Sequence, residues 1–148
     1  MNKLEECFGR DLLRYVEPSG EKAQESIKLA KEWLEESIKN FNSGAYRSGL
    51  SSAYLAIFHS ARAILFNDGV RERSHYCVGV YLEKYVDKKM LEGKWVEIFD
   101  RIRSARHTDQ YSFTLHITAE EVENSIEIAR DFITRMQKLL EEIHGRGV

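Results

Sequence analysis

Arg101, Arg103, Arg106 and His107 make up the densest basic cluster in the chain. On a helix that advances about 100° per residue, Arg103, Arg106, His107 and Gln110 share one polar stripe roughly 100° wide. A phosphate is the ligand such a stripe suits. Arginine presents a planar fork of donors matched to phosphate oxygens, and histidine moves a proton near neutral pH. That pairing is what RNA cleavage by the ribose 2′-hydroxyl requires. A plainer explanation competes: arginines late in a helix favour the negative end of its dipole, and basic side chains commonly pair with acidic neighbours.

The remaining histidines and tyrosines offer less. His75, at a helix start, could help hold an anion through the exposed N–H groups there, although an ordinary capping environment explains it as readily. His59 lies among Leu55, Phe58 and Arg62 in mid-helix, where a bundle neighbour is expected to satisfy it. Tyr54, Tyr76, Tyr81 and Tyr85 have the spacing of core or interface positions rather than of base-stacking platforms. None of the five histidines shows HxxxH or HExxH spacing, and no carboxylates accompany them at ligand intervals, so no metal site is expected. Phosphate-loop, dinucleotide-binding and nucleophile-elbow glycine patterns are missing, and no cofactor is expected either.

The elements that must position these residues are helical. Asn2 to Val16 places Leu4, Cys7, Phe8, Leu12 and Tyr15 at near-helical spacing and predicts a first helix, broken by Pro18. From Ser19, an N-cap candidate, Ala23, Ile27, Ala30, Leu34, Ile38 and Phe41 recur at threes and fours until Asn42-Ser43-Gly44 turns the chain. The next helix, Ala45 to Asn67, carries large apolar residues on one stripe and Gly49, Ser52, Ala53, Ala56, Ser60 and Ala63 on another. Such a helix packs on two faces, with a neighbour approaching closely over the small one. Val70 to Arg73 reads as a charged connection, and Ser74 as the cap of a shorter helix from His75 to about Met90. A helix from Trp95 to about Gln110 buries Trp95, Ile98, Phe99, Ile102 and Ala105. Thr118-Ala119-Glu120-Glu121 has the capping-box pattern and opens a final helix that runs to Gly145. The expected fold class is all-α: an antiparallel, up-and-down bundle of about five to six helices.

A chain of 148 residues suits a single domain over residues 1–148, with residues 1–17 an N-terminal helix and linker and residues 19–145 the bundle. Its 22 basic and 24 acidic residues nearly cancel, so any affinity for nucleic acid must come from a local patch. Cys7 and Cys77 lack CxxC spacing and read as separate small core residues in a reducing compartment. With no apolar run near the ~18 residues a span needs, and an N-terminus too polar for a secretory leader, the expectation is a cytoplasmic protein without a membrane anchor.

Ser52 to Phe66 (SAYLAIFHSARAILF) resembles the central-helix signature of HEPN domains, the higher eukaryotes and prokaryotes nucleotide-binding family. Gly69 to His75 (GVRERSH) is similar to that family's loop into a short helix, and Arg106 to Tyr111 (RHTDQY) to its late arginine motif. The resemblance implies a bundle that usually dimerises, often encoded beside a small nucleotidyltransferase as toxin and antitoxin. It also implies, for many members, a metal-independent endoribonuclease built on an R-x4-6-H motif where two subunits meet. Counted from Arg106, the four-residue spacing arrives at Tyr111 where those nucleases carry histidine, and Phe113 stands where some carry a further tyrosine. Arg101 with His107 satisfies the motif in a second register, but on one regular helix these side chains point about 120° apart. Tyrosine, with a pKa of about 10, is a poor base at neutral pH. The polar stripe and the resemblance together give Arg106, His107 and Arg101 as catalytic candidates, and Arg103, Gln110, Tyr111 and His75 as candidates for binding nucleotide or RNA. A non-catalytic helical module that docks a protein partner, its arginines merely solvated or paired, is the competing reading.

Overall fold

The computed structural model describes the backbone of residues 2–111 and 116–145, and the side chains of residues 2–106 and 116–145. Among these residues the order is α1 (Lys3–Gly9), β1 (Leu13–Tyr15), α2 (Gly20–Asn42), α3 (Tyr46–Asp68), β2 (Val70–Glu72), α4 (His75–Asp87), α5 (Gly93–Tyr111) and α6 (Ala119–Gly145). The helices pack antiparallel around α3, in agreement with the expected all-α bundle.

Two polar locks set the pairing of α2 with α3. Ser37 Oγ donates to the Gly49 carbonyl and Ser26 Oγ to the His59 carbonyl, each at 2.7 Å, so hydroxyls from α2 reach the α3 backbone near both ends of the contact. Such an approach needs small residues on α3, and the predicted stripe is buried throughout. A Cβ built on Gly49 would stand 3.0 Å from Val122 Cγ1 of α6, so α3 is pressed on that side too. The apolar face of α6, from Val122 through Phe132 and Met136 to Ile143, closes the core over α3.

The N-terminal region departs from the expected single helix. Asn2 and Glu5 form a capping box that starts α1, but the helix ends at Gly9 because Asp11 turns the backbone left-handed at φ 58°. Residues 13–15 then pair antiparallel with residues 70–72, in the register Leu13 to Glu72, Arg14 to Arg71 and Tyr15 to Val70. The segment read as a charged connection is therefore β2. Leu13 and Val70 are buried by the pairing, whereas Tyr15 is exposed instead of lying on a helical core stripe. Gly69 makes the sharp exit from α3 possible: its φ is +75°, and a Cβ there would fall 2.6 Å from the Val16 carbonyl oxygen.

A second correction concerns the cysteines. Cys7 and Cys77 are joined in a disulfide that ties α1 to α4, rather than lying as separate thiols. Their separation of 70 residues gave no local spacing signal; only the packing of α1 on α4 brings them together. The predicted caps agree with the structure at Ser19, Ser74 and Thr118, whose hydroxyls accept from the N–H groups of Lys22, Cys77 and Glu121. No described helix is long and apolar enough to cross a membrane.

Candidate functional site

Three helices bring the candidate groups together. Tyr54, Phe58 and Arg62 follow one another at steps of four along α3, so they share a stripe. Ser74 caps α4 and thereby presents His75 at the helix's first residue. From α5, Arg106 holds its guanidinium carbon 5.2 Å over the Tyr54 ring, and Arg103 lies 5.5 Å over the Tyr76 ring. The His75 imidazole stacks on Phe58, with centroids 4.0 Å apart, and its Nδ1 lies 2.7 Å from the Tyr54 hydroxyl oxygen.

The electrostatics decide which way that last hydrogen bond runs. Burial pushes the Tyr54 hydroxyl up to about 12, against the opposing pull of Arg106 and Arg103, so it is protonated at neutral pH. Burial, followed by the charges of Arg106, Arg103 and Arg62, holds His75 below its usual value. Tyr54 therefore donates to a neutral His75, and the imidazole proton is assigned to Nε2. His75 thus offers a donor, not a free base, on its open edge.

The two arginines differ in availability. Arg103 already spends its Nε and one terminal nitrogen on Asp100, at 3.2 and 2.8 Å. Arg106 Nε is buried with no hydrogen-bond partner among the described residues. An unmet buried donor is costly, and a forked cation with an unmet N–H suits an oxyanion. The arrangement can hold a phosphate group and neutralise charge on it; by itself it supplies no base of suitable pKa.

Of the residues anticipated from sequence, Arg103, Arg106 and His75 are brought together. Arg101 lines a recess of about 310 Å³ with Lys3, Glu83 and Glu97, on the far side of Tyr76 and Asp100, the two residues that Arg103 contacts. His107, Gln110 and Tyr111 belong to the last residues of α5, and their side chains lie outside the described residues. Tyr54, read as core, is indeed fully buried, yet its hydroxyl orients His75. The four-residue steps from Tyr54 to Phe58 to Arg62 were the available signal for it. Tyr76, also read as core or interface, is 41% exposed beneath Arg103. His59 is corrected as well: no bundle neighbour satisfies its Nδ1, because Ser26 bonds the His59 carbonyl rather than its ring.

The fold is an antiparallel helical bundle in which an arginine of α5 lies over the tyrosine that orients a histidine of α4. The family model for the HEPN domain matches residues 23–139, and the chain belongs to that family. It is similar to "Putative toxin MJ0605" of Methanocaldococcus jannaschii, with 32% identity over 127 residues covering 83% of this chain and 92% of the relative. It is also similar to "Putative toxin MJ0142" of the same organism, at 27% identity over 77% of this chain and 78% of the relative. A third relative, "UPF0332 protein PH1297" of Pyrococcus horikoshii, is 25% identical over 64% of this chain and 67% of its own length.

Proposed function

We propose that this protein is the toxin of a toxin–antitoxin pair and that it acts on RNA, binding a backbone phosphate between Arg106 and His75. The observation that carries this reading is the buried Nε of Arg106, without a hydrogen-bond partner among the described residues, on a guanidinium that lies over the same Tyr54 whose hydroxyl orients His75. Family membership and the toxin names of two relatives support it. A minimal nucleotidyltransferase is the proposed antitoxin, and a homodimer the proposed active form, with the C-terminal part of α5 at the subunit interface.

For cleavage, the 2′-hydroxyl must lose a proton as it attacks the adjacent phosphorus, and the leaving 5′-oxygen must gain one. Tyr54 is protonated far above neutral pH and His75 Nδ1 is occupied, so neither accepts that proton. His107, the residue after Arg106 on α5, is the proposed proton-transfer group. Arg106 and His75 stabilise charge on the phosphate, Arg103 supports them, and Gln110 and Tyr111 contact the strand. Arg101, which lines the recess beyond Tyr76 and Asp100, serves only if a partner subunit brings it near.

Incubating the purified protein with a structured RNA, beside Arg106→Ala, His75→Ala and His107→Ala, tests the reading. The expected result is cleavage by the wild type, a loss of at least about 100-fold with His107→Ala at nearly unchanged affinity, and weakened binding with Arg106→Ala. Equal cleavage by all four proteins, or none by the wild type, overturns the nuclease reading.

A further inference from the structure

A second recess of about 310 Å³ opens between α2, α3 and β2, and the cluster around Arg106 makes no use of it. Lys22 projects into it from α2, His59 and Arg62 from α3, and Arg71 from β2, over apolar Leu29 and Phe66. Glu25 contributes the one carboxylate among the lining residues. Arg62 is anchored: its Nε lies 2.7 Å from Glu72 Oε1, and its guanidinium carbon 4.8 Å over the Phe66 ring.

Several groups here are short of partners. His59 Nδ1 is buried and makes no hydrogen bond. Lys22 and Arg71 make no ion pair among the described residues. Arg71 also stands directly across from Arg14 in the β1–β2 register. Like charges facing each other on paired strands repel, and an anion beside them relieves the repulsion. A guanidinium, an ammonium and an imidazole converging from three elements form a donor set for a tetrahedral oxyanion.

The recess is also joined to the first cluster. One ring, Phe58, packs against both imidazoles: His75 stacks on it at 4.0 Å and His59 meets its edge at 5.2 Å. We infer that Lys22, His59, Arg62 and Arg71 form a second phosphoryl-binding subsite. Resting on the reading of Arg106 and His75 as a phosphate site on RNA, it takes another phosphate of the same strand across α3. The phosphoryl group could equally come from free phosphate, so the test separates the two sources.

Inorganic phosphate is titrated against chloride at matched ionic strength while the His59 ring signals are followed by NMR. In parallel, a single-stranded RNA of about ten nucleotides is titrated by calorimetry at several salt concentrations. Arg71→Ala and Lys22→Ala suit both arms, since both residues are exposed. The expected results are movement of the His59 signals by phosphate in the wild type and in Arg106→Ala but not in Arg71→Ala, and about tenfold weaker RNA binding with Arg71→Ala. The salt slope should become shallower by about 0.7 with that substitution, as when one phosphate contact to a single strand is removed.

Phosphate binding at His59 without any effect of Arg71→Ala on RNA affinity supports the subsite and overturns its place on the strand. His59 signals indifferent to both phosphate and RNA overturn the inference entirely. RNA binding lost with Arg106→Ala but untouched by Arg71→Ala and Lys22→Ala leaves the first site standing and removes the second. The reverse pattern removes the first reading instead.

Discussion

At the scale of single residues, the informative feature is how burial and neighbouring cations act on two histidines. Burial, then Arg62 and His75, brings His59 down to about 4, and His75 is lowered for similar reasons. A base with a depressed folded-state pKa takes up a proton more readily in the unfolded chain, whose imidazoles titrate near 6.5. Stability is therefore complete above that value and falls as pH drops from about 6.5 towards 4. Urea unfolding at pH 7 and pH 5 should show a loss on the order of 1 kcal/mol, well below what the full shifts would give because both rings are partly open to solvent. His59→Gln should reduce the loss; an identical pH dependence in the variant would assign it elsewhere. Glu92 does not confuse the result. Held down to about 2, chiefly by its hydrogen bonds with Arg135, it gives up its contribution only as pH falls below about 4.5.

At the scale of elements, the site depends on how closely α4 and α5 approach. Gly79 of α4 faces Phe99 of α5 so tightly that an added Cβ would stand 2.8 Å from Phe99 Cδ1. Phe99 is fully buried, and its ring neighbours both Tyr54 and Phe132, at centroid distances of 6.5 and 6.3 Å. Gly79→Ala must then move Phe99 within a closed core, and overpacking of this kind costs about 1–3 kcal/mol. Thermal unfolding should show a drop of several degrees, with RNA binding weakened through the displaced Tyr54. An unchanged melting temperature would mean that α4 can slide without cost. The start of α5 is held from the other side, where Arg135 of α6 bonds Glu92 at 2.8 Å and the Met90 carbonyl at 2.7 Å. The α5 backbone is thus placed by contacts with α4 and α6, while Asp100, three residues earlier on the same helix, holds the Arg103 side chain.

For the whole molecule, the Cys7–Cys77 disulfide closes a loop of 70 residues that contains α2, α3 and β2. Constraining so long a loop in the unfolded chain is worth about 2–4 kcal/mol. Cys7→Ser with Cys77→Ser, or treatment with a reductant, should lower the denaturant midpoint accordingly; no change on reduction would show that the two helices hold without it. Helix positions and caps were legible in the sequence because they follow from spacing of three and four and from side chains that bond their own backbone. The family, too, was legible, in the residues of α3 and the motif at Arg106. What the sequence did not reveal is everything that joins distant residues: the pairing of residues 13–15 with 70–72, the disulfide and the Tyr54–His75 bond. Local periodicity determines which face of a helix is buried, so by itself the sequence determined an all-α bundle with arginines late in one helix. Only the crossing of α3, α4 and α5 decided that Arg106 lies over the tyrosine that orients His75, because hydrogen bonds and charge neighbours depend on distances in space that spacing along the chain does not encode.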